Sequence, residues 1–375
     1  MRTTRPRRFR TTALGHATLA PAALGLATIL SAAPGASAQT ATWYISTYTD
    51  QMLVWDEASE QVIDRITMNR IIPNDVTLNE AKTRLYVEDA SWEYVQIVDI
   101  ARREVIDEFT LSEGDSKFRI SGFAPHPDDR RAIVFGNRTT KLEDRYAVDG
   151  PFILAYDMVA KRVTDTIPWP DGEERDNVGF RYSPDGETLY FYTNDIIAVD
   201  AETYEEVDRW EISQPLEPGL GRPSFSPESQ TYDEAGVATS LFRVRDPVHN
   251  RTLLGIAKVR LSEQEVDFCT VGTSEPLRGF ALAPDRRKAY ALYQTIGEYE
   301  FWEFDLVEET LSRRVPFAGR PRMGLDVSAD GTKLYVHVAG NTIDVYDAAT
   351  FSLLRTVEFD EDMTLGNVAI IPENE

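Results

Sequence analysis

Arginine recurs at the start of apolar segments along this 375-residue chain, although acidic residues outnumber basic residues by 62 to 39. Four of seven such starts carry one, and these are Arg119, Arg222, Arg278 and Arg322. A guanidinium group offers paired N–H donors to a carboxylate or another small anion. If the fold gathers these starts at one place, they predict a site for a small anionic ligand or for the carboxylates of a partner protein.

Two other interpretations use the same positions. Each arginine could instead pair with a carboxylate of a neighbouring repeat, which would lock adjacent repeats together; the candidate carboxylates are Asp75, Asp176 and Asp326. Alternatively, oxygen-bearing side chains at the remaining starts could bind calcium, as part of a metal-dependent hydrolase. Those side chains belong to Asn74, Asp75, Asn177 and Asn367.

Residues typical of catalytic centres are sparse. Beyond the first 38 residues the histidines are His126, His249 and His337, which lie far apart and lack the spacing of metal ligands. Neither a G-x-S-x-G sequence nor a phosphate-binding loop is present. We interpret the three histidines as turn, loop and core residues, and the sequence identifies no catalytic residue.

The elements that carry the arginines repeat along the chain. An apolar run, a turn such as Ser-Pro-Asp-Gly and a second apolar run recur from residues 76, 123, 177, 280 and 325, with a degenerate copy from 224. A further apolar run ends in aspartate in six of the repeats, at Asp56, Asp99, Asp157, Asp200, Asp305 and Asp347. Such spacing predicts seven units of four antiparallel strands, because a unit of this size must stack on copies of itself to bury both faces.

The predicted fold is therefore all-β, a seven-bladed propeller in one domain spanning residues 39–375. The first unit lacks an inner strand, and residues 366–372 can supply it, so pairing of the two chain ends would close the ring. Two polar insertions, residues 136–151 and 228–250, are predicted to be exposed loops and are candidates for a role in binding.

The first 38 residues resemble a signal peptide. Five arginines precede an apolar stretch, and Ala36-Ser37-Ala38 fits a cleavage site. We therefore predict a periplasmic or secreted protein, cleaved near Ala38, with no membrane span. The mature chain then has 34 basic and 62 acidic residues, a net charge of -28, which opposes binding to nucleic acid. A single cysteine, Cys269, excludes a disulfide framework.

The repeat pattern resembles that of YVTN-type propellers. Within that group the chain is most similar to the beta subunit of quinohaemoprotein amine dehydrogenase, through the long insertion at 136–151, the irregular region at 224–260, and the closing segments FALAPDRRKAYAL, WEFDLVEETLSRRVPF and LDVSADGTKLYV. This resemblance implies a non-catalytic scaffold without a cofactor of its own, beside a haem- or quinone-bearing subunit. The chain itself lacks a CxxCH haem attachment sequence.

The YVTN group also resembles phosphogluconolactonase-type propellers, which implies a lactonase as the alternative. In that case the four arginines would suit a sugar acid. The export signal argues against a phosphorylated sugar as substrate, because such compounds are cytoplasmic. The sequence therefore favours an exported binding or scaffold propeller over a propeller hydrolase.

Overall fold

A computed structural model of the chain describes residues 40–225, 230–337, 339–364 and 367–373. The predicted signal peptide lies outside these residues. The described chain forms 28 strands in seven four-stranded antiparallel sheets, as predicted. It contains no helix that is long and apolar enough to cross a membrane.

The chain forms its blades in sequence order, and apart from the C-terminal strand the strands of each blade follow one another from the inner to the outer edge. Blade 1 comprises β28 (Val368–Pro372), β1 (Ala41–Ser46), β2 (Gln51–Asp56) and β3 (Gln61–Thr67). Blade 2 comprises β4 (Pro73–Leu78), β5 (Arg84–Asp89), β6 (Tyr94–Asp99) and β7 (Glu104–Thr110). Blade 3 comprises β8 (Ser116–Pro125), β9 (Arg131–Lys141), β10 (Tyr146–Asp157) and β11 (Arg162–Ile167). Blade 4 comprises β12 (Gly179–Tyr182), β13 (Thr188–Tyr192), β14 (Ile196–Asp200) and β15 (Glu206–Trp210).

The remaining blades follow the same plan. Blade 5 comprises β16 (Pro223–Phe225), β17 (Val237–Asp246), β18 (Arg251–Arg260) and β19 (Glu265–Thr273). Blade 6 comprises β20 (Leu277–Leu282), β21 (Lys288–Thr295), β22 (Glu298–Asp305) and β23 (Thr310–Pro316). Blade 7 comprises β24 (Gly324–Val327), β25 (Lys333–His337), β26 (Thr342–Asp347) and β27 (Leu353–Glu358).

Blade 1 closes the ring as the sequence predicts. The C-terminal strand β28 pairs antiparallel with β1, with Ala41 opposite Pro372 and Ile45 opposite Val368. The pairing covers what would otherwise be an exposed edge of β1. It therefore joins the two ends of the propeller within one sheet.

The hydrophobic core lies between blades. One buried cluster joins Phe135 and Ile153 of blade 3 to Leu189 and Phe191 of blade 4. Another joins Trp43 and Trp55 of blade 1 to Tyr335 of blade 7. Because the strands are apolar on both faces, each blade buries one face against each neighbour.

The recurring aspartate has a structural role at the end of the third strand in six of the seven blades. Asp347, for example, accepts hydrogen bonds from the backbone N–H groups of Ala349 and Thr350, at 3.1 and 2.7 Å. Asp157 and Asp305 cap the equivalent turns in the same way. Each cap fixes the turn to the outer strand, which explains why aspartate recurs at this position.

The insertion at residues 136–151 is not the loop that the sequence predicts. It extends β9 and β10 as a regular hairpin, in which Thr140 lies opposite Ala147 and Lys141 opposite Tyr146. The start of β8 pairs with the same extension, with Ser116 opposite Thr140. We call this three-stranded projection, residues 116–119, 137–141 and 146–149, the flap.

The insertion at 228–250 is also largely regular. Its second half forms most of β17, which pairs with β18 over ten residues up to the Asp246–Arg251 pair. Among its described residues, only residues 230–236, which precede β17, and the hairpin turn at residues 247–250 lie outside a strand. The β-branched and aromatic residues Val237, Thr239, Phe242 and Val244 favour a strand, and they outweigh the turn-forming residues on either side.

Candidate functional site

The predicted arginines lie at one end of the central channel. Inner strands begin at this end, which we call the upper face, and the hairpin turns between second and third strands lie beside them. Two contacts show this placement. Arg222 Nη1 donates to Asn194 Oδ1, in the neighbouring blade's turn, at 2.6 Å. Likewise, the backbone N–H of Ile120 donates to the Trp92 carbonyl at 2.7 Å.

The four arginines do not lock the blades together by ion pairs. Within the described part of the chain none of them has a carboxylate partner: Arg119 lies over the Trp92 ring at 5.6 Å, and Arg222 bonds the Asn194 amide. The side chains of Arg278 and Arg322 are exposed and bond no described residue. The ion-pair interpretation is therefore wrong for these side chains, and their charges remain directed to solvent.

The carboxylates proposed as their partners are engaged elsewhere or remain apart. Asp75 accepts a hydrogen bond from Asn367 Nδ2 at 2.7 Å, across the junction between blades 2 and 1. Asp326 accepts one from His337 Nε2, also at 2.7 Å. Asp176 makes no ion pair with a described arginine.

Only some of the residues proposed to bind calcium lie close together in the structure. Asp75 and Asn367 are in contact, whereas Asn177 is exposed on blade 4, two blades from Asp75. Asn74 is half-buried at the start of β4. In the described chain no three His, Cys, Asp or Glu side chains come together as metal ligands. The structure thus joins two of the four proposed calcium-binding residues.

A buried acid lies beside Asp75, and sequence reasoning missed it. Glu88 on β5 is opposite Asp75, is 4% exposed, and its Oε2 has no hydrogen-bond partner in the described structure. Burial, together with the charges of Asp75 and Asp89, raises the pKa of Glu88 to about 8. Folding therefore favours the protonated form of Glu88.

The three histidines have the roles predicted from their positions. His126 Nε2 donates to the Gly186 carbonyl at 3.0 Å and links two neighbouring turns, while His249 Nδ1 contacts Asp246 in an exposed hairpin turn. His337 is buried and bonds Asp326. No hydroxyl or thiol nucleophile bonds any of the three, so the arrangement contains no triad among described residues.

The central channel contains a cavity of about 930 Å³, which none of the four upper-face arginines lines. Its walls are the inner strands of blades 1 to 4, including Val76, Phe123, Phe180 and Val368. The segment at residues 230–235 also contributes to its lining, through every residue except Tyr232, at the end of the channel opposite the upper face, which we call the lower face. The cavity is large enough for a small molecule or for an inserted side chain or chain end.

The segment at the lower face is fixed by contacts that cross blades. Tyr232, 4% exposed, donates its hydroxyl to the Val327 carbonyl of blade 7 at 3.1 Å. Arg286 of blade 6 donates to the Tyr232 carbonyl at 2.8 Å and to Glu234 at 2.7 Å. These bonds anchor the segment at the lower end of the cavity.

The flap stands on the same upper face. Its outer strand, residues 146–149, pairs with β9 on one side only, since β11 joins β10 from Ile153 onward. Tyr146 and Val148 are each 67% exposed on this edge. A free strand edge with exposed apolar side chains is a typical surface for pairing with another chain.

No protein-family model and no curated protein matches the chain. Solved structures of propeller proteins do resemble it. A functionally unknown protein from Desulfotomaculum acetoxidans DSM 771 is 16% identical over 88% of this chain and 98% of its own, with a TM-score of 0.53. Apo AztD from Citrobacter koseri is 14% identical over 88% of this chain and 99% of its own, with a TM-score of 0.52.

A third similar structure is dihydro-heme d1 dehydrogenase NirN in complex with DHE. It is 13% identical over 89% of this chain and 77% of its own length, with a TM-score of 0.50. At these identities the similarity shows the propeller fold alone. Which ligand or partner the present chain binds is a separate question, which its own residues must answer.

Proposed function

We propose that this protein is an exported, non-catalytic propeller that binds an acidic partner through its upper face. One observation carries the proposal: four arginines at the upper face have no carboxylate partner among the described residues, in a chain where acids far outnumber bases. An internal structural role would have paired these charges. Their exposure instead leaves guanidinium groups free to bind carboxylates bidentately.

The flap supports a protein partner over a small anion alone. Its free edge and its exposed Tyr146 and Val148 provide a surface for main-chain pairing and apolar contact beside the arginines. A small ligand would need neither feature. Together, the arginines supply charge complementarity and the flap supplies contact area.

The partner that we propose is a haem- or quinone-bearing subunit of a periplasmic amine-oxidising complex. This finer assignment rests on the resemblance of the repeats to the beta subunit of quinohaemoprotein amine dehydrogenase. In such an arrangement the propeller orients the redox subunit, and the cofactor belongs to the other chain.

Co-purification tests the proposal. The tagged mature protein is isolated from its native exported fraction, and accompanying chains are stained for haem and quinone. We expect a stained chain with the wild type and its loss in the double variant Arg278→Glu, Arg322→Glu. The matched control is Arg102→Glu, Arg162→Glu, which changes the same charge at exposed positions near the lower ends of blades 2 and 3.

The outcomes separate the general proposal from the finer one. Retention of the partner by the Arg278 and Arg322 variant refutes the upper face as the docking surface. A partner that carries neither haem nor quinone, but is lost in the same variant, keeps the docking surface and refutes the redox assignment. Isolation of the propeller alone contradicts both.

A further inference from the structure

A second cavity lies between blades 5 and 6, away from the arginines. It measures about 180 Å³, and its apolar wall is formed by Val237, Ile256, Leu282 and Leu306. The other lining residues are mostly charged, with Lys258 on β18 among them. A concave space that combines an apolar wall with convergent polar groups can hold a small molecule.

Nearly every charge in this cavity has a partner within the protein. Asp267 binds Arg260 at 2.7 Å, and Glu234 binds Arg286 at 2.7 Å. Asp233 accepts the backbone N–H and the hydroxyl of Thr239, at 2.9 and 2.6 Å. These bonds fix the walls of the cavity and satisfy most of its polar groups.

Lys258 is the exception. Its ammonium group makes no hydrogen bond and no ion pair with a described residue, although Asp267 lies opposite it in the strand register. The side chain is half-buried and lines the cavity beside the aliphatic wall. A cation held at the edge of an apolar space favours an anionic counter-group that displaces its water.

From this geometry we infer that the cavity between blades 5 and 6 binds a short aliphatic monocarboxylate, with its carboxylate against Lys258 and its hydrocarbon chain along the aliphatic wall. The cavity holds the volume of about six waters, which limits the ligand to about six to eight non-hydrogen atoms. A single negative charge fits better than a dianion because Asp233, Asp267 and Glu309 also line the space.

The only cysteine of the chain reports on occupancy. Cys269 lines the same cavity, and its thiol contacts the Glu309 carbonyl at 3.4 Å. Burial, together with the charge of Glu309 and a hydrogen bond with that residue, raises the pKa of this thiol to about 12, so its alkylation is slow. A ligand in the cavity would slow it more by covering the sulfur.

The experiment measures alkylation of the mature protein by iodoacetamide at fixed pH, followed by intact mass, with hexanoate or hexanamide as the probe. We expect hexanoate to slow alkylation at least fivefold at saturation, whereas the uncharged hexanamide has little effect. Lys258→Met should remove the protection, and Lys258→Arg should retain it. Lys161→Met, at an exposed lysine in the turn between β10 and β11, is the matched control and should behave as wild type.

Equal protection by hexanoate and hexanamide would overturn the inference, as would full protection of the Lys258→Met variant. The alkylation rate without ligand checks the fold of each variant, because disruption of the cavity would expose Cys269 and raise that rate. The inference is independent of the upper-face proposal, since neither Arg278 nor Arg322 lines this cavity.

Discussion

Replacing Glu88 with glutamine tests whether a buried, protonated acid lies next to the channel. The carboxyl is 4% exposed in blade 2, and its raised pKa of about 8 contrasts with an ordinary value of 4.5. Folding therefore favours the protonated acid. A raised pKa in the folded state adds stability that is fully present below pH 4.5 and is lost as the pH rises through about 8.

The size of the loss of stability follows from the shift in the pKa of Glu88. A change from 4.5 to about 8 corresponds to about 5 kcal/mol between the two protonation states. Water that enters when the carboxylate forms reduces part of this energetic cost. We therefore expect ionisation of Glu88 to lower the free energy of unfolding of the wild type by about 2–4 kcal/mol between pH 5 and pH 9. Glu57, whose pKa burial raises to about 7, adds a loss of the same sign.

The Glu88→Gln variant cannot ionise and isolates the contribution of Glu88. Urea unfolding of both proteins from pH 5 to pH 9 should show similar stability at pH 5, within about 1 kcal/mol. By pH 9 the variant should be more stable by about 2–4 kcal/mol. Glu104→Gln, at an exposed position of the same blade, should leave the pH dependence unchanged. A difference between Glu88→Gln and wild type that stays constant across this range would refute the reasoning.

Two further substitutions test the turns and the lower face. Gly186→Ala should destabilise the protein by about 3 kcal/mol or more, because φ is +76° and a Cβ would lie 2.5 Å from His126 Nε2. The control Gly172→Ala, where φ is +74° and no atom lies within 4 Å of the added Cβ, should cost only about 1 kcal/mol. Equal losses of stability in thermal unfolding would contradict this prediction. Arg286→Ala should lower the free energy of unfolding by about 1–3 kcal/mol and expose residues 230–235 to limited proteolysis. The control Arg287→Ala should have neither effect, since Arg287 is exposed and its side chain bonds no described residue. Unchanged cleavage of the Arg286 variant would show that other contacts hold the segment.

Much of the fold could be predicted because each repeat carries its own turn residues. Aspartate ends the third strand wherever the turn needs a side-chain cap, as at Asp157 and Asp347. The closing strand was predictable because blade 1 lacked an inner strand and the last apolar run lay at the C-terminus. Turns and strand ends of this kind depend mainly on residues that are close in sequence, so the sequence alone can predict them.

The flap was mispredicted for a related reason. Its polar residues and its Gly-Asn and Asp-Gly-Pro turn signals indicate a loop, yet Thr139, Thr140 and Val148 continue the strands. Pairing with β8 stabilises the hairpin beyond the ring. Strand propensity depends on such neighbours, which sequence alone did not supply.

The candidate sites were predictable only in part. Alignment of the repeats brought the four arginines to one face, but it could not show whether Asp75 or Asp326 paired with them; those carboxylates bond Asn367 and His337 instead. Neither Glu88 nor Lys258 was distinguishable among the many charged residues of the sequence. Burial, or the lack of a bonding partner among the described residues, distinguishes Glu88 and Lys258 from the other charged residues. Both properties depend on packing between blades.

The most direct test of the central claim is the affinity of the mature protein for a fluorescent hexaglutamate peptide, measured by anisotropy at fixed ionic strength. If the upper-face arginines bind carboxylates, wild type and the Arg102→Glu, Arg162→Glu control should bind equally well. Arg278→Glu, Arg322→Glu should bind at least tenfold more weakly, which is about 1.4 kcal/mol. Equal affinity for all three proteins, or no binding to wild type, would contradict the claim.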